Sequence, residues 1–492
     1  MMRLALILAC LLPAPLAAQE MHDHPAPEKL GTVSFATSCK PGTQQEFNRA
    51  VALLHSFAYK TAEEAFRSVA AQDPQCAIAH WGIAMTHYHE LWEPVLPPAD
   101  IAATQQEIRR AGMLEEASER ERGFIHAIGL IFNDAATIPY RTRALNYELA
   151  MRELAAANPK DVETQVFYAL ALISNASPSD KEHRRQKQAA DLLEPLYSEF
   201  PDHPGIPHYL IHAYDNQELA SRGLAVARAY AKIAPSAPHA LYMPSHLFTR
   251  LGLWDDSIAS NLAAKSAAEH QRDTGEELHA MDYLVYAYLQ SGRDQEAAQV
   301  IEQLKALQNL DLSDFKVAYA ATAMPIRYIV ERQQWSEAEK VVNPPDSAPP
   351  HVVAIAVWAR GLGFARNGHV QQAEQESETL RQLEDRLRAS GDDYWATEVD
   401  IMRREVMAWS VQAANRPDEA AAILRSAADD EDGVEKLPVT PGPIIPAREQ
   451  LGELLLEQGD PASASKAFQT ALANAPGRRG ALQGAAQAAH SH

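Results

Sequence analysis

The chain has 492 residues, a formal net charge of -21 and 22% charged residues. That length exceeds one compact core, so several domains or a repeat array are expected, and the acidic balance excludes a basic field for nucleic acid or an anionic membrane surface. Small-residue runs punctuated by Gly and Pro, with no long alternating Val/Ile/Thr segment, argue an all-α chain.

Taken in order, residues 1–18 read as a secretory signal: Arg3, an apolar run too short to span a bilayer, then Ala17 and Ala18 as a cleavage site. A lipoprotein signal using Cys10 is the rival, with few apolar residues ahead of the cysteine. The expected location is periplasmic or secreted, and no other stretch reads as a membrane span. Residues 19–38 are polar and Pro-containing and read as a disordered tail in which His22 and His24 are solvated. Two cysteines remain after the signal, Cys39 and Cys76. Export makes a disulfide between them the natural reading, and two buried thiols the alternative.

The helical pattern begins at Gln44. Residues 44–57 and 60–72 predict a helix pair ending in Asp73-Pro74, with Ala62 and Phe66 where the two helices pack, and CAIAHWGIAMTHYHELW predicts the next helix. A first array over 39–343 is followed by the Pro-rich run 344–350 as a linker, helix pairs over 351–430, and a connector with a final pair over 431–490. The stretch 429–449 is acidic and then Pro-rich and cannot continue a helix. It reads first as a plain connector, with a plug folded over the groove as the alternative.

The clearest repeat is PAREQLGELLLEQGDPASASKAFQTALANAP, where Leu451, Gly452, Leu455, Ala464, Phe468, Ala471 and Pro476 keep the register of a unit of about 34 residues. This resembles the tetratricopeptide repeat (TPR), with weaker copies around Tyr288-Gly292-Ala297, Gly361-Gly368-Ala373, Phe248-Gly252-Ser257 and Trp335-Ala338. The resemblance implies a right-handed α-solenoid of TPR-like helix pairs, with the first helix of each pair lining a concave groove that takes a protein or peptide. The stretches CAIAHWGIAMTHYHELW, APHALYMPSHLFTRLGLWDDSIASN and VEKLPVTPGPIIPAREQLGELLLE are similar to a family of large exported bacterial TPR proteins. That similarity implies fold and export and carries over no catalytic residue.

In this register His208, His212, Asp215, His239, His246, His279 and Asp282 all face one groove, as His55 and His89 do nearer the N-terminus. His87 would pack on its partner helix. Neutral imidazoles with a carboxylate are ligands for copper, zinc or iron, so a transition-metal site at His208, His212, His239, His246 and His279 is expected, with Asp215, Asp282, His55 and His89 as additional or supporting groups. Pro244 disfavours helix at Met243, which leaves His239 on the preceding turn and makes His208, His212, His246 and His279 the tightest expected set. A polar ligand groove without metal is the plainer alternative, and helix-end burial the plainer one for His55 and His89. Trp81, Trp92, Trp254 and the Tyr283/Tyr286/Tyr288 group read as packing and not as a cofactor box. No phosphate-binding Gly loop, G-x-S-x-G, H-E-x-x-H or C-x-x-C motif is present. The leading expectation is therefore a binding protein with a metal in its groove. Its rival is a metal-dependent enzyme that keeps an open coordination position there.

Overall fold

The computed structural model describes residues 28–91, 98–345, 347–437 and 439–490. The expected signal segment, Cys10, His22, His24 and Trp92 lie outside them. Among the described residues the regular structure is entirely helical, a succession of antiparallel helices each packed on its chain neighbours. This is the all-α solenoid of TPR-like pairs.

The repeat is built by a few local devices. Aspartate opens helix after helix: Asp161, Asp273, Asp314, Asp392 and Asp460 each accept a backbone N–H of the first turn. Gly292 and Gly459, at φ +76° and +78°, supply the left-handed residue between the two helices of a pair. Within the last pair, helices Ala447–Glu457 and Pro461–Asn474, Gly452 leaves room for the Phe468 ring, which a Cβ would meet at 2.6 Å.

Two departures from a plain solenoid position the site. The residues 28–38, expected in a disordered tail, form an extended strap instead, because Leu30, Val33 and Phe35 bury themselves. Lys29 N donates to Ser236 Oγ at 2.8 Å and Thr32 N to the Asp202 carbonyl at 2.9 Å. Phe35 packs on Phe47, Trp81 and Phe124. The strap thus ties the first helices to residues 202–236, and helix Gln44–His55 touches helix Gly205–Tyr214. The chain closes a tight first turn there.

A second turn closes at the C-terminal end. Trp254 Nε1 donates to the Gly477 carbonyl at 3.1 Å, and the buried Arg478 joins Glu449 (2.7 Å) to Glu331 (2.9 Å). Into this turn run residues 433–437 and 439–446, which do not form the surface connector expected from the sequence. Glu435 N donates to the Pro178 carbonyl at 2.9 Å, Lys436 pairs with Asp215 at 3.1 Å, and the Tyr283 hydroxyl donates to the Thr440 carbonyl at 3.2 Å. Pro441 and Pro443 deny these residues a helix while Val439, Ile444 and Ile445 are apolar enough to bury, so they plug the interior.

Candidate functional site

His208 and His212 lie one turn apart on helix Gly205–Tyr214, and His239 lies on the short helix Pro238–Tyr242. Met243 stays helical (φ -47°, ψ -39°), so the following helix Pro244–Arg250 continues almost without a break. Pro244 therefore does not displace His239, contrary to the expectation, because proline at the first turn gives up an N–H that needs no partner.

The Nε2 atoms of these three rings converge: His208 to His212 at 3.1 Å and His208 to His239 at 3.0 Å. Tetrahedral zinc, with Zn–N near 2.0–2.1 Å, sets its donors about 3.3 Å apart, close to what the rings hold. His208 Nδ1–H donates to the His55 carbonyl at 2.6 Å, which leaves a lone pair on Nε2. Glu276 Oε2 stands 3.5 Å from His239 Nδ1. The Nε2 atoms of His208 and His239 face each other 3.0 Å apart, with the His212 Nε2 beside them, and His212 Nδ1 is buried without a hydrogen bond. The three converging Nε2 atoms are arranged as three ligands of one ion would be. Burial lowers all three imidazoles below their ordinary pKa, with neighbouring imidazoles adding to the effect at His208 and His212 and Glu276 opposing it at His239. They stand neutral, as coordination requires.

Aromatic rings wall the set. Tyr230 stacks on His208 at 5.3 Å, and Phe57 meets His208 at 4.4 Å and His239 at 5.0 Å. Phe57 holds φ +53°, a conformation costly for a bulky residue, beside these rings. A cleft lined by Phe57, Tyr59, His89, Glu276 and Lys316 opens at His239.

The other expected ligands do not join. His246 Nδ1 bonds to Asp215 Oδ2 at 2.9 Å, and that carboxylate is taken by Arg250 and Lys436 as well. His279 packs against Tyr242 with ring centroids 4.4 Å apart and planes tilted by 58°, and its ring lies 6.3 Å from that of His246. Asp282, pushed up to about 6 by burial, faces Arg327 at 3.6 Å. The helix holding His80 ends at Met85, where Thr86 Oγ1 caps the Ile83 carbonyl. His89 is thus off the helical register and rests on Tyr59 at 4.4 Å, while His87 reaches Glu63 at 3.7 Å, on helix Tyr59–Gln72 of the preceding pair and not on its own partner helix.

His55 belongs to a separate group that the sequence reading missed. Its Nε2–H donates to Glu163 at 2.8 Å, and His203 Nε2–H donates to the other oxygen at 3.0 Å. Their Nδ1 atoms accept from the Tyr209 hydroxyl (2.9 Å) and from Gly205 N (3.2 Å). Burial alone would raise Glu163, but His203 and His55 hold it below the usual carboxylate range. Every nitrogen here has a partner, so the group is a structural clasp between helices Gln44–His55, Val162–Ser174 and Gly205–Tyr214. Glu276 was missed too, although its place three residues before His279 puts it on the same helix face. Cys39 and Cys76 are joined as a disulfide.

No protein-family model matches the sequence, and no curated protein matches it. Among solved structures, the Cut9–Hcn1 complex is 10% identical over 94% of this chain and 78% of that one, with a TM-score of 0.36. Yeast Tom70 is 11% identical over 91% and 88%, at 0.32. An IFIT1 monomeric mutant with Gppp-AAAA is 12% identical over 89% and 95%, at 0.37. The architecture stands on this chain's own helix pairs.

Proposed function

We propose that this chain is an exported TPR-like binding protein that holds one transition-metal ion, copper, zinc or iron, at His208, His212 and His239. A protein or peptide partner is received on its inner surface. The observation that carries the metal reading is the convergence of the Nε2 atoms of three buried, neutral imidazoles. Export is supported by the N-terminal signal pattern and by the Cys39–Cys76 disulfide. The inner surface of the second turn is occupied by the chain's own residues 433–437 and 439–446, which leaves the cleft beside His239 as the free approach.

That cleft favours the second reading, a metal-dependent enzyme. Three imidazoles with an open side toward Glu276 and Lys316 match the arrangement in which a fourth position is left to water or substrate. Titration of zinc and copper(II) into untagged, chelator-treated protein tests both. One tight equivalent is expected, lost in His208→Ala, His212→Ala and His239→Ala and kept in His279→Ala. Saturation at a hundred times the dissociation constant should add about 2.7 kcal/mol to stability, and chelator should remove it. Wild-type affinity in all three variants would leave only the polar-groove reading.

A further inference from the structure

The second turn encloses a cavity of about 170 Å³, apart from the three-histidine site, whose contents the metal reading leaves unexplained. Helix Asp393–Ala413 supplies one wall: Tyr394, Trp395, Glu398 and Met402 fall at helical spacing on one face and line the cavity together. Tyr319 and Tyr286 come from two other helices, and the stretch 440–444 forms the roof. The aromatic wall is itself rigid. Trp395 stacks on His351 with ring centroids 4.4 Å apart and planes 9° apart, and Tyr394 meets it edge-on at 5.1 Å.

Charge decides what such a space accepts. The cations at its rim are all engaged: Arg250 with Asp215 at 2.8 Å and Glu435 at 3.2 Å, Lys436 with Asp215 at 3.1 Å, and Arg448 with Asp432 at 2.7 Å. Lys181 lies 3.6 Å from Glu435. The carboxyls are not so provided for. Glu398 is bonded to the Tyr394 hydroxyl and Glu431 to the Ala447 N–H at 2.7 Å, and among the described residues neither makes an ion pair. Glu405, a further buried carboxyl nearby, bonds to Trp358 Nε1. These three groups repel one another when charged. The cavity therefore presents carboxyls with no paired cation among the described residues, beside aromatic rings whose faces attract cations.

We propose that this cavity binds a small organic cation, a primary or quaternary ammonium, its head held against Tyr319, Tyr394 and Trp395 and paired with Glu398 under the 440–444 roof. The size agrees: an engineered cavity of about 150 Å³ takes benzene, so roughly six to ten non-hydrogen atoms fit here. The buried metal site and this cavity are lined by different residues, so either can exist without the other.

Calorimetric titration of the mature chain, with and without added zinc, tests the proposal. The probes are choline, phenethylamine and 3,3-dimethylbutan-1-ol, the uncharged isostere of choline. At least one cation should bind saturably at one equivalent in both metal states. The alcohol should bind at least about tenfold more weakly, and Glu398→Gln should weaken the cation by a similar factor while leaving metal affinity unchanged. Equal binding of choline and the alcohol, unchanged cation affinity in Glu398→Gln, or no saturable binding of either cation would overturn it. The isostere comparison is made on the unmodified protein, so it stands even if the variant fails to fold.

Discussion

Two buried histidine groups share a wall of the first turn, and they differ in whether each ring nitrogen has a partner. In the His55–Glu163–His203 clasp every one does, and in the His208–His212–His239 set the buried His212 Nδ1 does not. The contrast is why the first group is read as structure and the second as a ligand set, although both are fully buried. Covalent chemistry at the same scale yields a prediction. The Cys39–Cys76 bridge closes a loop with a sequence separation of 37, and by chain entropy it contributes about 4 kcal/mol. Labelling under denaturing, non-reducing conditions should find no free thiol in the mature protein, and Cys39→Ser should lower stability by roughly that amount. Two reactive thiols per chain would contradict the bridge.

At the scale of the element, one packing device recurs at both ends. A Cβ on Gly82 would stand 2.3 Å from the Phe66 ring, and one on Gly484 2.2 Å from the Phe468 ring. In each case an aromatic from the second helix of a pair fills the space beside a glycine in the next helix. The helices can touch only because that glycine has no side chain. Gly82→Ala should therefore overpack the joint and cost about 1–3 kcal/mol, although alanine is the better helix former. Urea unfolding reads this directly, and a stabilised Gly82→Ala would mean that the Phe66 ring swings aside freely.

Over the whole molecule, both turns are closed by contacts between residues far apart in sequence, so stability is not simply summed along neighbouring repeats. Arg478 is the keystone of the second closure. Arg478→Met would leave Glu331 and Glu449 buried without their cation, at a cost of about 3–5 kcal/mol, and should expand the molecule in small-angle scattering. The two turns also differ in how they answer pH. In the first, burial pulls His55 below its ordinary value, and Asp215 is held low against burial by Lys436 and Arg250. Depressed values mean that the unfolded chain takes up more protons, so stability falls as pH drops below about 6.5 for the histidine and below about 4 for the carboxylates. In the second, burial pushes Glu398 and Glu453 up to about 7 and Glu405 up to about 8. There the folded chain holds the extra protons, so stability falls as pH rises from about 4.3 through 7–8. Hydrogen exchange at pH 5 and pH 8.5 should show the first turn loosening in acid and the second in base. The same half loosening at both extremes would refute this division.

Periodicity and small-residue spacing act within a repeat, which is why the helix pairs, the Gly452–Phe468 joint and the one-turn separation of His208 and His212 were legible in the sequence. The residue types Cys39 and Cys76, with a signal pattern ahead of them, were enough to suggest a bridge. What lay beyond reach were the contacts made between turns. Glu163 approaches His55 across 108 residues, the strap at 28–38 reaches residues 202–236, and Lys436 reaches Asp215 across 221. No local pattern encodes such distances, because the superhelical curvature that creates them is a sum of small rotations at every helix joint. That curvature chose His239 over His246 and His279. All three occupy inward positions in the repeat, but only the closure of the first turn decides which imidazole arrives 3.0 Å from His208.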